Sequence, residues 1–250
     1  MNANQKQEIQ IYKVWDLPVR VFHWVNFLCV ISLLFMGFVM LYKKELGITS
    51  LDAKIALKQV HVIIGYVFVV NLLIRFAWAF IGNRYAHWSA FLPYRGALSD
   101  ARRYTEAMRQ GQPQVYLGHN PLGRLAVTFL LLLMATMAVT GLVRAGTDIY
   151  FPPFGGWVQD YIAADQVPPS SLKPYDETQL DVEKFQALKA FKSPFGKLHL
   201  YTAYTLLGML LLHIAAVIVT DKREGGAIIS AMFTGKKYLR GSPRDATDSE

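Results

Sequence analysis

Cysteine is almost missing from this chain, which has one, Cys29, among 250 residues. A single thiol excludes an internal disulfide and an iron–sulfur site made by this chain alone. Acidic residues are also scarce: the chain has 18 of them and 26 basic residues, which gives a net charge of +8. The basic residues form no stripe on a soluble domain, so this balance does not indicate nucleic-acid binding.

Charged residues are nearly absent from four long stretches of the sequence. Residues 21–42, 125–143 and 198–220 carry no formal charge, and residues 59–83 carry only Arg75. About 20 apolar residues are enough for an α-helix to cross a bilayer. The sequence therefore predicts an all-α, integral membrane four-helix bundle in a single domain, with spans at about 21–42, 59–82, 122–144 and 197–220.

Two other interpretations of these stretches are less consistent with the sequence. The helices of a soluble four-helix bundle would need a polar stripe, and the run Leu-Leu-Leu-Leu-Met at 130–134 leaves no room for one. A cleavable signal peptide is also disfavoured for the first stretch. It is longer than the apolar region of such a peptide, and no cleavage-site pattern follows Tyr42.

The distribution of basic residues predicts which side of the membrane each loop faces. Three segments are basic: the N-terminal arm, the loop between the second and third spans, and the C-terminal tail. The positive-inside rule places all three, and therefore both termini, in the cytoplasm. Four lysines in the first external loop (Lys43, Lys44, Lys54 and Lys58) count against this orientation.

The connection between the third and fourth spans, residues 145–195, is too long for a plain loop between neighbouring helices. It begins with aromatic and turn residues and contains Pro168-Pro169. We expect an amphipathic helix near 176–192, where Phe185, Leu188 and Phe191 share a face. We interpret the segment as an extracytoplasmic cap on which a partner docks; the alternative is a self-packed lid without a partner.

Four histidines lie within the apolar stretches, namely His23, His61, His199 and His213. An ionisable residue in hydrocarbon costs several kcal/mol, and imidazole is a common ligand of haem iron. With both termini inside, His61 and His199 lie at the outer level of the membrane, whereas His23 and His213 lie at the inner level. His199 and His213 fall within about 40° on one helix face and about 21 Å apart along the axis. This arrangement predicts two haems, with axial pairs His61/His199 and His23/His213.

The four histidines, Arg75 and His119 each have alternative roles. A lone intramembrane histidine is more often a packing or hydrogen-bonding residue, and zinc or copper is disfavoured because neither level offers a third histidine or a cysteine. Arg75 follows His61 by 14 residues, so it could pair with haem propionates at the inner level or snorkel to the interface. His119 lies in a loop, where it could satisfy a helix end or assist quinone or proton transfer.

Three motifs resemble a known family. The segments Val14–Trp24 (VWDLPVRVFHW), Arg75–Tyr85 (RFAWAFIGNRY) and Gly118–Pro121 (GHNP), together with the final span, resemble the cytochrome b subunit of membrane-bound nickel–iron hydrogenases and related bacterial b561-type cytochromes. The resemblance covers most of residues 12–145 and 195–235. It implies a diheme cytochrome b of the bacterial inner membrane, with non-covalent haem b on the four histidines.

The same resemblance implies a function in the respiratory chain. Such a protein transfers electrons between an extracytoplasmic redox partner and the quinone pool, as an electron-transfer subunit rather than a catalytic one. The long connection departs from the family pattern, so the expected partner is either an iron–sulfur subunit or a c-type cytochrome. Two alternatives stay open at this point. One is a stand-alone oxidoreductase acting on quinol or a small oxidant, and the other is a haem-free membrane anchor or transporter.

Overall fold

The computed structural model describes residues 9–112, 114–224, 227–240 and 243–246. These residues form, in order, β1 (Ile9–Lys13), α1 (Leu17–Leu41), α2 (Leu51–Ile81), α3 (Trp88–Phe91), α4 (Ala97–Arg109), α5 (Pro121–Ile149), α6 (Gly155–Ile162), a 3₁₀ turn (Pro169–Ser171), α7 (Val182–Glu224), α8 (Ile228–Thr234) and β2 (Lys236–Arg240). The prediction of an all-α membrane protein is confirmed. The one addition is a small antiparallel sheet in which β1 pairs with β2.

Among the described residues, α1, α2, α5 and α7 are the helices that are long and apolar enough to cross a membrane. Their outward faces are apolar as well as their packed ones, since large side chains such as Phe35, Val70 and Leu211 are more than half exposed. Surfaces of this kind require lipid rather than water, and a helix satisfies its own backbone there. The chain is therefore a multi-pass membrane protein.

The last long helix differs from the sequence prediction. We expected an amphipathic helix near 176–192 that ends before a separate span at 197–220, whereas α7 is one helix of 43 residues with Pro194 inside it. Proline removes one backbone hydrogen bond, but a long helix beside other helices tolerates that loss. The connection without long helices is consequently shorter than expected, running from Tyr150 to Asp181.

The start of α5 follows the usual capping pattern of an asparagine before a first-turn proline. The Oδ1 atom of Asn120 accepts a hydrogen bond from the Gly123 amide at 2.7 Å, and Pro121 occupies the first helical position. The Nδ2 atom of Asn120 also donates to the Tyr104 hydroxyl on α4 at 2.8 Å. One side chain thus both caps α5 and joins it to the preceding helix.

The chain divides into two compact units, and each long helix contributes residues to both. The first unit contains the described residues up to 24, from 73 to 132 and from 208 onward, and the second contains Val25–Leu72 and Leu133–Leu207. In the first unit, a buried cluster joins the N-terminal arm, the loops around α4 and the C-terminal tail (Val14, Tyr85, Leu117, Ala227 and Leu239). The Lys237 ammonium reinforces it by donating to the Tyr116 carbonyl oxygen at 2.8 Å.

The second unit holds the connection between α5 and α7, which packs around a small core of its own (Ile162, Leu172, Leu180 and Leu188). A second cluster fixes the start of this connection to the long helices, because Val62 on α2 packs against Ala145 and Ile149 on α5. Nearby, the Tyr66 hydroxyl donates to the Pro152 carbonyl oxygen at 2.5 Å. The connection is therefore an ordered structure attached to α2 and α5 beside His61.

Candidate functional site

The second unit brings two of the four predicted histidines next to each other. His61 on α2 and His199 on α7 have ring centroids 6.4 Å apart, with the ring planes at 68°. Both side chains are partly buried between the helices. Two imidazoles on separate helices, pointing at each other within an apolar region, can together hold one metal centre.

Thr140 on α5 fixes the protonation of one of these rings. Its Oγ1 atom lies 2.8 Å from Nδ1 of His199 and donates its own proton to the Thr136 carbonyl oxygen at 2.7 Å. When the hydroxyl donates to that carbonyl, it accepts the Nδ1 proton, and Nε2 of His199 keeps its lone pair. Outer hydrogen bonds of this type orient metal-binding histidines. Thr140 was not identified from the sequence, because α5 also contains Thr128 and Thr136 and no local pattern distinguishes the three hydroxyls.

The His61 ring has an unpaired nitrogen among the described residues, and there is open space beside a nearby glycine. Nδ1 of His61 is buried without a hydrogen-bond partner among the described residues. Gly65 lies one turn further along α2, and a Cβ atom there would meet nothing within 4 Å. Gly141 lies against the His199 ring, where a Cβ atom would stand 3.6 Å from Cε1. A flat ligand could therefore approach the helix backbones closely on this side.

A charged cluster lies beside this histidine pair. The carboxylate of Asp148 on α5 is ion-paired with Lys58 on α2 (2.5 Å), Arg144 on α5 (2.6 Å) and Lys192 on α7 (3.0 Å). Asp148 was not singled out from the sequence. Its position four residues after Arg144 on one helix face is the local signal that could have indicated an ion pair.

The first unit contains the other two predicted histidines, His23 on α1 and His213 on α7. They are close enough to interact electrostatically. Nδ1 of His23 is buried with no partner among the described residues. The adjacent Trp24 is held by a hydrogen bond from its indole Nε1 to the Met232 carbonyl oxygen at 3.1 Å, which ties this turn of α1 to α8.

Arg75 on α2 is buried in the first unit, with 5% of its surface exposed. Its Nη1 atom donates to the Ala86 carbonyl oxygen at 3.0 Å, and its guanidinium lies 4.8 Å from the centroid of the Phe91 ring. This environment argues against the alternative that the side chain snorkels to the interface. One N–H group of Arg75 holds the loop before α3, and the guanidinium has further N–H groups that can donate hydrogen bonds.

His119 lies between the same loop and the N-terminal arm. Its ring is 5.0 Å from the indole of Trp15, it donates to the Ala90 carbonyl oxygen, and its Nδ1 atom is buried without a partner among the described residues. Burial, together with three nearby cations, lowers the pKa of His119 to about 3. The ring is therefore neutral at physiological pH and holds loops together.

The geometry of the His61–His199 pair was compared with that of two imidazoles bound to one iron. If both ring nitrogens were aimed at one iron, a metal–nitrogen bond of about 2 Å, and about 1.2 Å from that nitrogen to its ring centroid, would allow a centroid separation of up to about 6.4 Å. The observed separation is 6.4 Å. In the part of the chain that the structure describes, no three His, Cys, Asp or Glu side chains converge. Two facing imidazoles without a third ligand fit haem better than zinc or copper.

Comparison with known families gives a match over most of the chain. The sequence model of the prokaryotic cytochrome b561 family matches residues 14–235. This range includes all four histidines, Arg75 and the whole connection between α5 and α7. The match therefore also covers the connection at 145–195, which the motif resemblance did not include.

Curated relatives share a common printed name. A probable Ni/Fe-hydrogenase B-type cytochrome subunit of Bradyrhizobium diazoefficiens is 27% identical over 91% of this chain and 86% of its own length. Its namesake in Rhizobium leguminosarum bv. viciae is 24% identical over 95% of this chain and 92% of its own length. A probable Ni/Fe-hydrogenase 1 B-type cytochrome subunit of Escherichia coli strain K12 is 31% identical over 51% of this chain and 57% of its own length. No solved structure matches the chain.

Proposed function

The chain belongs to the prokaryotic cytochrome b561 family, and we propose from this membership that it transfers electrons through a membrane between a redox protein on one side and the quinone pool. The observation that carries the proposal is the His61–His199 ring pair, because its 6.4 Å separation suits a haem iron between the two rings. The family makes this chain a membrane b-type cytochrome. The number of haems, the quinone and the partner belong to the proposal.

In this proposal two haems b are held by two pairs of histidines. His61 and His199 hold one, and His23 and His213 hold the other. A haem bound in this way supplies one-electron chemistry. The protein's own contribution is to fix the ligands, and the Thr140 hydroxyl does so by accepting the Nδ1 proton of His199. Arg75 is proposed as a propionate partner of the second haem, since only one of its donors is assigned to the Ala86 carbonyl oxygen.

The redox partner is proposed to dock on the connection between α5 and α7. This segment lies over the ends of α2 and α5, beside the His61–His199 pair. It exposes large aromatic side chains, with Trp157 at 72% and Tyr161 at 49% exposure, and aromatic residues are enriched at protein interfaces. By analogy with the relatives' printed names, we propose an iron–sulfur subunit of a hydrogenase as the partner, with a c-type cytochrome as the alternative.

The proposed orientation is that of a bacterial inner-membrane protein with both termini in the cytoplasm. It rests on the basic residues of the N-terminal arm, the loop before α5 and the tail, which favour the cytoplasmic side. The connection between α5 and α7 then faces the extracytoplasmic side. Electrons would pass between a partner there and a quinone within the membrane.

One observation favours a second candidate function. The connection packs around its own core of Ile162, Leu172, Leu180 and Leu188, so it does not need a partner to be ordered. A stand-alone oxidoreductase that acts on quinol or a small oxidant would have such a self-packed lid. The two candidates differ in whether a redox subunit is needed for electron delivery.

The experiment is haem analysis and quinol reduction with protein purified from its native membrane in mild detergent. We expect about two moles of acid-acetone-extractable protohaem per mole of chain, reduction by a quinol, and a copurifying redox subunit. Reduction by quinol with a full haem content but no copurifying subunit, and undiminished turnover with a small oxidant, would favour the stand-alone enzyme. Protein that holds less than one haem despite ample haem supply would contradict the proposal.

A further inference from the structure

Three basic side chains in the second unit meet one buried carboxylate. Asp148 has 6% of its side chain exposed and accepts ion pairs from Lys58, Arg144 and Lys192. In the part of the chain that the structure describes, these three cations form ion pairs only with Asp148. Three positive charges against one negative charge leave a formal excess of two.

The neighbouring acidic side chains do not offset this excess. Glu177 is paired with Lys189 at 3.0 Å, and the cation that acts electrostatically on Asp176 is Lys173, which lies outside the cluster. The three cations keep only 16–34% of their side-chain surface exposed, and burying cations without matching anions costs free energy. The cluster is therefore better explained by an anionic ligand than by structure alone.

The cluster lies at one side of the His61–His199 pair. Lys58 precedes His61 by one turn of α2, and Lys192 precedes His199 by two turns of α7. Both Lys58 and Arg144 act electrostatically on the two imidazoles.

A glycine positions the guanidinium of this cluster. Arg144 packs directly on Gly196 of α7, where a Cβ atom would collide with its Nη1 atom. Gly196 also precedes His199 by less than one turn. The guanidinium is thus held close to the backbone of the helix that carries the histidine.

We propose that Lys58, Arg144 and Lys192 bind the two propionates of the haem held by His61 and His199. The inference rests on the haem assignment proposed above. Two propionates carry two negative charges, which match the formal excess of two. A guanidinium and two ammonium groups are strong donors to carboxylates.

The test compares protohaem with its dimethyl ester, in which both propionate charges are removed. Both compounds are titrated into detergent-solubilised protein that was made in haem-deficient cells, with His23→Ala as the background so that only the His61–His199 site is filled. We expect protohaem to bind at least about tenfold more tightly than the ester, from one or two charge-assisted hydrogen bonds. Lys58→Gln and Arg144→Gln should each shrink this preference by roughly tenfold.

Two further variants make the result specific to the cluster. Lys189→Gln is the matched control, because Lys189 lies one turn before Lys192 on α7 and pairs with Glu177 instead of Asp148. It should leave the preference for protohaem unchanged. Asp148→Asn removes the one negative charge, so the preference should be equal or larger. Because this variant keeps all three cations, its result stands even if a cation variant folds poorly.

The possible failures are distinguishable. Equal binding of protohaem and its ester by the parent protein, or an equal loss of preference in Lys189→Gln, would overturn the propionate site and leave the histidine ligands intact. Failure of both compounds to bind would overturn the haem assignment itself, and with it this inference.

Discussion

The Thr140→Val variant tests how the protein prepares His199 for its proposed role. Thr140 has 1% of its surface exposed, and its hydroxyl lies 2.8 Å from Nδ1 of His199. Valine has nearly the same shape, so the substitution removes the acceptor without opening a large cavity. The Nδ1–H group of His199 is then buried without a partner, which costs about 1–3 kcal/mol. That range corresponds to roughly 5- to 150-fold in an equilibrium constant.

We expect this cost to appear as weaker haem binding at the His61–His199 site alone. The assay is haem transfer from the purified variant to a haem-scavenging globin, followed by the loss of one of the two spectral components. Thr140→Ser keeps the hydroxyl and should behave like the parent protein. Thr128→Val is a second control, because Thr128 on the same helix bonds to the Phe91 carbonyl oxygen instead of a histidine. Unchanged haem retention in Thr140→Val would refute the reasoning.

Three further predictions concern other parts of the chain. Because the pKa of His119 is lowered to about 3 in the folded protein, only the unfolded chain binds a proton at this ring as the pH falls from about 6.5 towards 3. The apparent melting temperature should therefore drop between about pH 7.5 and pH 5. The drop should be smaller in His119→Gln. Asn120→Ala should lower stability by about 1 kcal/mol, seen as a lower melting temperature, because α5 loses its cap. Residues 165–178 can be replaced by a short turn, because Ala163 and Leu180 already form a backbone bridge. This replacement should leave both haems bound and reducible by dithionite, while electron delivery from the native donor falls. Normal delivery by that shortened variant would show that the segment is only a lid.

The sequence was sufficient for the long helices because lipid imposes a simple rule on them. Uncharged stretches of about 20 residues predict spans regardless of packing detail. The start of α5 was also predictable, since Asn120-Pro121 is a local capping signal. The end of one helix was not predictable: we expected a helix near 176–192 to end before a separate span, but α7 continues through Pro194. The effect of a proline depends on whether neighbouring helices compensate for its missing hydrogen bond, which no local pattern encodes.

The candidate site was only partly accessible from the sequence. Helical spacing and topology placed His61 opposite His199, and these rings are adjacent in the structure. The roles of Thr140 and Asp148 depend on how α5 is rotated against α2 and α7, and uniformly apolar spans carry no periodicity that fixes this rotation. The pairing of β1 with β2 was likewise missed, because two short strands more than 200 residues apart give no combined signal.

The most direct test of the central claim is a reduced-minus-oxidised spectrum of the four single alanine variants at the histidines. The account predicts that His61→Ala and His199→Ala each remove the same spectral component, and that His23→Ala and His213→Ala each remove the other. A double variant within one pair should lose no more than either single variant. If His61→Ala and His23→Ala remove the same component, or if any single variant leaves both components intact, the two-haem assignment is wrong.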